Sequence, residues 1–95
     1  MVSLLRVFYI LYHMELIILT PGKTVYSGQV TAVNTPGENG KLEILENHAP
    51  IVASLKAGAV DVKTSDNQQL SFQTTGGFLE VLNNKVSILL ETVEA

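Results

Sequence analysis

The chain of 95 residues contains no cysteine and no tryptophan, and its aromatic residues are three phenylalanines and three tyrosines. Without cysteine there is no disulfide framework and no thiolate metal site, and nothing follows about the redox state of the compartment. With no tryptophan and few aromatic rings beyond residue 13, there is no stacking platform for a sugar ring. Six Lys and Arg residues are scattered under a formal net charge of −3. Nucleic-acid binding displaces counterions with clustered cations, and no cluster exists, so that class is excluded. Only two histidines occur, His13 and His48, too few for a histidine metal site. Neither His-Glu-x-x-His nor Gly-x-Ser-x-Gly is present, and no nucleophile–base pair suggests a hydrolase.

What the chain does have is apolar content. A hydrophobic fraction of 46% and a mean hydropathy of +0.28 describe a packed globule with one modest core. Residues 1–13 stand apart as an almost continuous run of Leu, Val, Phe, Ile and Tyr with Arg6 as the one formal charge. That run is too short to cross the roughly 30 Å hydrocarbon core of a bilayer as a helix. As a signal peptide it lacks a small-x-small cleavage site, since Tyr12-His13-Met14 follows. The expected organisation is therefore an apolar extension over 1–13, upstream of a true start at Met14, and one domain over 14–95. An extra strand or a membrane-surface anchor is the alternative for the extension.

From Met14 onward the pattern is strands and turns. Leu16 to Leu19 is apolar and closes on Thr20-Pro21-Gly22-Lys23, a turn with Pro and Gly in favoured order. Val25-Tyr26 and Gln29 to Thr35 form the next apolar pieces, with Ser27-Gly28 between them marking a bulge or a close approach. Ile51 to Lys56 is too short for a helix and reads as a strand. Val60, Val62 and Thr64 alternate with Asp61 and Lys63, and Leu70, Phe72 and Thr74 with Ser71 and Gln73, across a Ser65-Asp66-Asn67 turn. Gly76-Gly77 leads into Phe78 to Leu82, where Phe78 is expected in the core. Asn83-Asn84 suits a two-residue hairpin, because asparagine tolerates positive φ, and Lys85 to Thr92 is the last strand. The expected fold is all-β: a flattened sandwich or barrel of about eight to ten mostly antiparallel strands.

The most distinctive stretch is Pro36-Gly37-Glu38-Asn39-Gly40-Lys41-Leu42-Glu43-Ile44-Leu45-Glu46-Asn47-His48-Ala49-Pro50. Its glycines and prolines predict two rigid turns flanking a short strand. As a phosphate loop it fails, with two residues between the glycines where Walker A has four, and Leu42 where Ser or Thr is needed. Glu43 and Glu46, three apart on a strand, point to opposite faces and read as surface charges. His48 reads either as a turn residue capping local backbone groups or as an interface residue displayed on a corner. Glu38 and Lys41 form a solvated loop tip.

In order and spacing, these residues resemble the N-terminal domain of the epsilon subunits of rotary F-type ATP synthases. The resemblance is carried by Glu15 to Lys23, by Val25-Tyr26-Ser27-Gly28-Gln29-Val30, and by the Gly-x-x-Gly loop with its His-Ala-Pro corner. Leu55-Lys56-Ala57-Gly58, and Gly76 to Val81 with Asn84-Lys85-Val86, complete it. It implies a non-catalytic rotor subunit without cofactor at the foot of the central stalk, linking ion flow to ATP synthesis. The implied partners are the gamma subunit and the polar loops of the c-ring, with no nucleic acid, no direct membrane insertion and no bound nucleotide. By position, Glu38 and Lys41 fall in the ring-facing loop, and Thr20, His48 and Thr75 on the side that meets gamma. The implied location is peripheral, on the cytoplasmic side of a bacterial inner membrane, as part of F1. A generic β-sandwich interaction module is the alternative.

Three positions depart from the family pattern: Lys41 where an acidic residue is common, Glu43 for glycine and Glu46 for proline. The lysine reverses the charge offered to the ring, and a non-glycine at 43 speaks against a positive φ there. The family also continues into a two-helix C-terminal domain, which the sequence to Ala95 does not contain. The expectation is coupling and assembly without inhibition by such helices.

Overall fold

The computed structural model describes residues 14–94, so the reading of residues 1–13 as an extension lies outside the described residues. Eight strands follow in order: β1 (Met14–Thr20), β2 (Lys23–Gly37), β3 (Gly40–Leu45), β4 (Ile51–Leu55), β5 (Gly58–Thr64), β6 (Gln69–Thr74), β7 (Gly77–Leu82) and β8 (Lys85–Leu90). Among the described residues there is no helix, and the all-β expectation holds.

Period-two alternation creates the core. In β7, Leu79 and Val81 point inward and are buried, while Phe78, Glu80 and Leu82 point outward. In β8, Val86, Ile88 and Leu90 are the buried set. β1 contributes Met14, Leu16 and Ile18, and Val60 and Val62 enter from β5. Each such side chain withdrawn from water stabilises the fold by roughly 1.5–3 kcal/mol before the cost of ordering the chain.

The strand order is β1-β8-β7-β4-β2-β5-β6, with β3 on the flank of β2 and an additional β1–β2 pairing. The path β1-β8-β7-β4-β2 thus returns to β1 and closes. β2 makes the closure possible: its first part pairs with β1 through Val30, its second part lies between β3 and β5, and Gly37 meets Leu55 of β4. All pairings are antiparallel except β1–β8, in which Leu16 lies beside Val86 and Leu19 beside Leu89.

One alternative is decided and two expectations need correction. Ser27-Gly28 does not interrupt the strand: β2 runs through it, and its register irregularities fall at Ile18/Leu19 in the β1 pairing and at Val30/Ala32 in the β5 pairing. Of the two readings of Gly28 the close approach holds: an added Cβ would lie 2.6 Å from the Tyr26 hydroxyl, so the tyrosine lies over the glycine and its ring meets Phe72 at 6.3 Å. Phe78 is not a core residue; it is 59% exposed. The final strand also stops at Leu90, two residues short of the expected Thr92.

Candidate interaction surface

The turns decide what the sheet displays. Pro21 and Gly22 link β1 to β2, and Gly22 has the φ of 88° that a Pro-Gly type II turn requires. Asn83 and Asn84 take φ of 51° and 60°, the pair of positive values that a type I′ hairpin needs. The Gly-x-x-Gly loop is tighter than a free loop: Gly37 pairs with Gly40, leaving Glu38 and Asn39 as a two-residue tip. A Cβ on Gly37 would lie 2.5 Å from the Gly40 carbonyl oxygen, so no side chain fits there. The tip is tied to β4 because the Glu38 amide donates to the Ser54 carbonyl at 3.0 Å and the Lys56 amide to that of Pro36 at 2.8 Å. The side chains of Glu38 and Lys41 are exposed.

The His-Ala-Pro corner is held from both sides. The His48 amide donates to the Leu45 carbonyl at 3.2 Å. Its ring Nδ1 lies 2.7 Å from the Ala49 carbonyl oxygen. Because a carbonyl only accepts, Nδ1 carries a proton and donates in this contact. The preceding Asn47 sits at φ 64° and bonds to Asn84 in the β7–β8 hairpin. The local-capping reading of His48 is therefore satisfied, and the side chain remains partly exposed. Glu43 lies within β3 without a positive φ, and Glu46 follows the end of that strand, so the two carboxylates do not form a pair on one strand.

Thr20 and Thr75 lie at the opposite end of β8 from His48. Thr20 follows Leu19, which is beside Leu89. Thr75 Oγ1 donates to Glu91 Oε1 at 3.2 Å and lies 3.0 Å from Thr92 Oγ1. The length of β8, roughly 17–20 Å for a strand of this size, separates this pair from the His48 corner.

Between the two ends lies a surface that the sequence reading missed. On the outer face of β4, β7, β8 and β1, one cross-strand row reads Ser54, Phe78, Leu89, Leu19, and the next Val52, Glu80, Ser87, Ile17. Val52 is 75% exposed, and Leu82 and Leu89 are about half exposed. The opposite outer surface, on β3, β2, β5 and β6, is more polar: Glu43, Asn34, Asp61 and Ser71 form one row there, and Leu45, about half exposed, stands in the next beside Ala32 and Lys63. The signal was available, since Glu80 and Lys85 mark the outward phase of their strands and Phe78 and Leu89 share it. Among the described residues no group of His, Asp and Glu could hold a metal ion. Shallow hollows exist, such as one of about 400 Å³ between the Gly37–Leu42 hairpin and β4, and none gathers a catalytic grouping.

Residues 13–95 match the family described as ATP synthase, Delta/Epsilon chain, beta-sandwich domain. The chain belongs to this family. The ATP synthase epsilon chain of Chlorobium limicola is 47% identical over 79 residues, covering 83% of this chain and 90% of that one. That of Chlorobaculum tepidum is 45% identical, covering 80% of this chain and 86% of its own. In fold, the chain is similar to one in the mitochondrial ATP synthase of Euglena gracilis solved with its OSCP, F1 and c-ring. The TM-score is 0.82 at 19% identity, over 87% of this chain and 53% of the other. Subunits of the epsilon type are non-catalytic.

Proposed function

We propose that this chain is a central-stalk rotor subunit of an F1Fo ATP synthase, coupling ion-driven rotation to ATP synthesis by holding gamma and meeting the c-ring. The observation that carries the reading is the apolar outer face of β4, β7, β8 and β1, set against a more polar opposite face. Exposed apolar surface centred on Phe78 and Leu89, with Glu80 as the carboxylate beside them and the Glu15 and Lys85 pair at its edge, has the composition of an interface core. His48 borders this face at one end, and Thr20 and Thr75 at the other, so the positions implied to meet gamma bracket one surface. Glu38 and Lys41, on the tip against Ser54, are free to meet the polar loops of the ring. The site of action is then a membrane-associated assembly, on the cytoplasmic side of a bacterial inner membrane.

Co-purification with the gamma subunit of the same organism tests the reading. Wild type should elute stoichiometrically with gamma, and Phe78→Asp should not, while its unfolding midpoint stays close to wild type. Retention of gamma by a folded Phe78→Asp chain would sink the assignment of this face.

A further inference from the structure

Six asparagines occur in the sequence, and only Asn39 is followed by glycine. It stands on the tip of the β2–β3 hairpin, and it and Gly40 are both exposed. We propose that Asn39 is a modification site, which converts spontaneously to aspartate and isoaspartate and so changes the charge of the tip.

The chemistry is intramolecular. The backbone nitrogen of Gly40 attacks the side-chain carbonyl carbon of Asn39; a nitrogen–Cγ bond forms, the Cγ–Nδ2 bond breaks, and Nδ2 leaves as ammonia with the amide proton. Water then opens the cyclic imide. Cleavage at Cγ gives aspartate, and cleavage at the main-chain carbonyl gives isoaspartate. One water enters, one ammonia leaves, and nothing is oxidised or reduced.

Three features of the tip favour this reaction. Attack is hindered by a side chain on the following residue, and Gly40 has none, in surroundings where even an added Cβ would find nothing within 4 Å. The Gly40 φ of 131° is one that few other residues adopt, so the freedom belongs to this position. Among the described residues, the Asn39 side-chain amide has no hydrogen-bond partner to hold it away. Elsewhere the conditions fail. The side chains of Asn47 and Asn84 are bonded to each other, and Asn34 lies within β2 ahead of the β-branched Thr35. Asn67 precedes Gln68, and Asn83 precedes Asn84.

Glu38 and Lys41 offset each other in formal charge, so conversion makes the tip net negative. Isoaspartate also lengthens the main chain by a methylene beside the Gly37–Gly40 pair. Any effect on ring contact rests on the function proposed above; the modification itself does not.

Incubating the folded chain in mildly alkaline heavy-oxygen water, followed by peptide mass mapping, reads both steps. Asn39 should convert before any other asparagine, with one heavy oxygen incorporated, and isoelectric focusing should show a more acidic band that co-migrates with Asn39→Asp. Asn39→Gln, whose longer side chain closes a larger ring, should not develop that band. Intact Asn39 in the folded chain, under conditions where the denatured chain converts, would overturn the proposal by showing that the hairpin protects it. Binding of Asn39→Asp to c-ring in detergent is a separate arm: altered binding supports the ring-facing tip, and unchanged binding overturns that contact while leaving the mass result standing.

Discussion

Asn47 and Asn84, 37 residues apart, are joined by two hydrogen bonds: the Asn47 amide donates to Asn84 Oδ1 at 2.6 Å, and Asn84 Nδ2 to Asn47 Oδ1 at 3.2 Å. Both residues have positive φ. The latch fastens the His48 corner to the β7–β8 hairpin, so the histidine is positioned by a turn on another part of the chain.

Asn84→Gly isolates the latch, because glycine keeps the positive φ while the side chain is lost. The expected cost is about 1–2 kcal/mol for two exposed bonds, read from urea unfolding midpoints. Faster amide exchange at Asn47 should accompany it. Unchanged exchange there would mean the latch holds nothing.

His48→Ala should leave the fold within about 0.5 kcal/mol of wild type, because the bond it removes is local and solvent-accessible. Its effect should appear in gamma binding, as a loss of about 5- to 30-fold if the side chain contributes 1–2 kcal/mol. Calorimetry on the purified pair distinguishes this from a residue that merely shapes its turn, for which affinity would not move.

Two glycine substitutions should fail for different reasons. At Gly77 a Cβ would collide with the Leu89 carbonyl oxygen and lie 3.0 Å from Leu90 Cα, both backbone atoms that cannot swing aside. Gly77→Ala should therefore cost about 1–3 kcal/mol or more and loosen the β7–β8 pairing. Gly22 has open space but φ 88°, so Gly22→Ala should cost only the left-handed strain, about 1–2 kcal/mol. Chemical denaturation of both variants checks the order.

The segment after β8 also has a measurable role. Gln73 and Glu94 exchange backbone hydrogen bonds of 2.9 and 2.8 Å, and Val93 packs against the core. Since Gln73 directs its amide and carbonyl outward, the alternation of an antiparallel strand directs those of Ser71 and Gln69 the same way. That edge, Gln69 to Thr74, carries no charge or proline to discourage pairing with another chain. Ending the chain at Leu90 should destabilise it and promote self-association, seen by sedimentation; a stable monomer would show that the edge needs no cover.

Local conformation was legible in the sequence wherever a residue type demands a backbone angle. Gly22, Asn67, Asn83 and Asn84 all have the positive φ their turns require. Alternation gave the strands, and order and spacing gave the family. Phe78 was misplaced because a Gly-Gly turn before an aromatic suggests packing, although the outward phase of Glu80 in the same strand contradicts it. Gly28 was read as a bulge or a close approach, and the sequence left the two open because it does not show that the Tyr26 hydroxyl will lie over it. The outward phase of Phe78 and Leu89 was readable within each strand, but not that they meet, since the apolar face is assembled from cross-strand neighbours on four strands. The Asn47–Asn84 latch was hidden for the same reason.

The parallel pairing of β1 with β8 sets the order in which the domain can be completed. Leu16 meets Val86, so the first of the described strands to be synthesised has its neighbour on that side in the last of them. Contacts so distant along the chain carry a loop-closure cost and slow folding. Until β8 emerges, β1 can pair only with β2, and one of its edges stays open to other strands. The domain therefore cannot close before β8 is made, and a nascent chain stalled before Lys85 remains an open sheet.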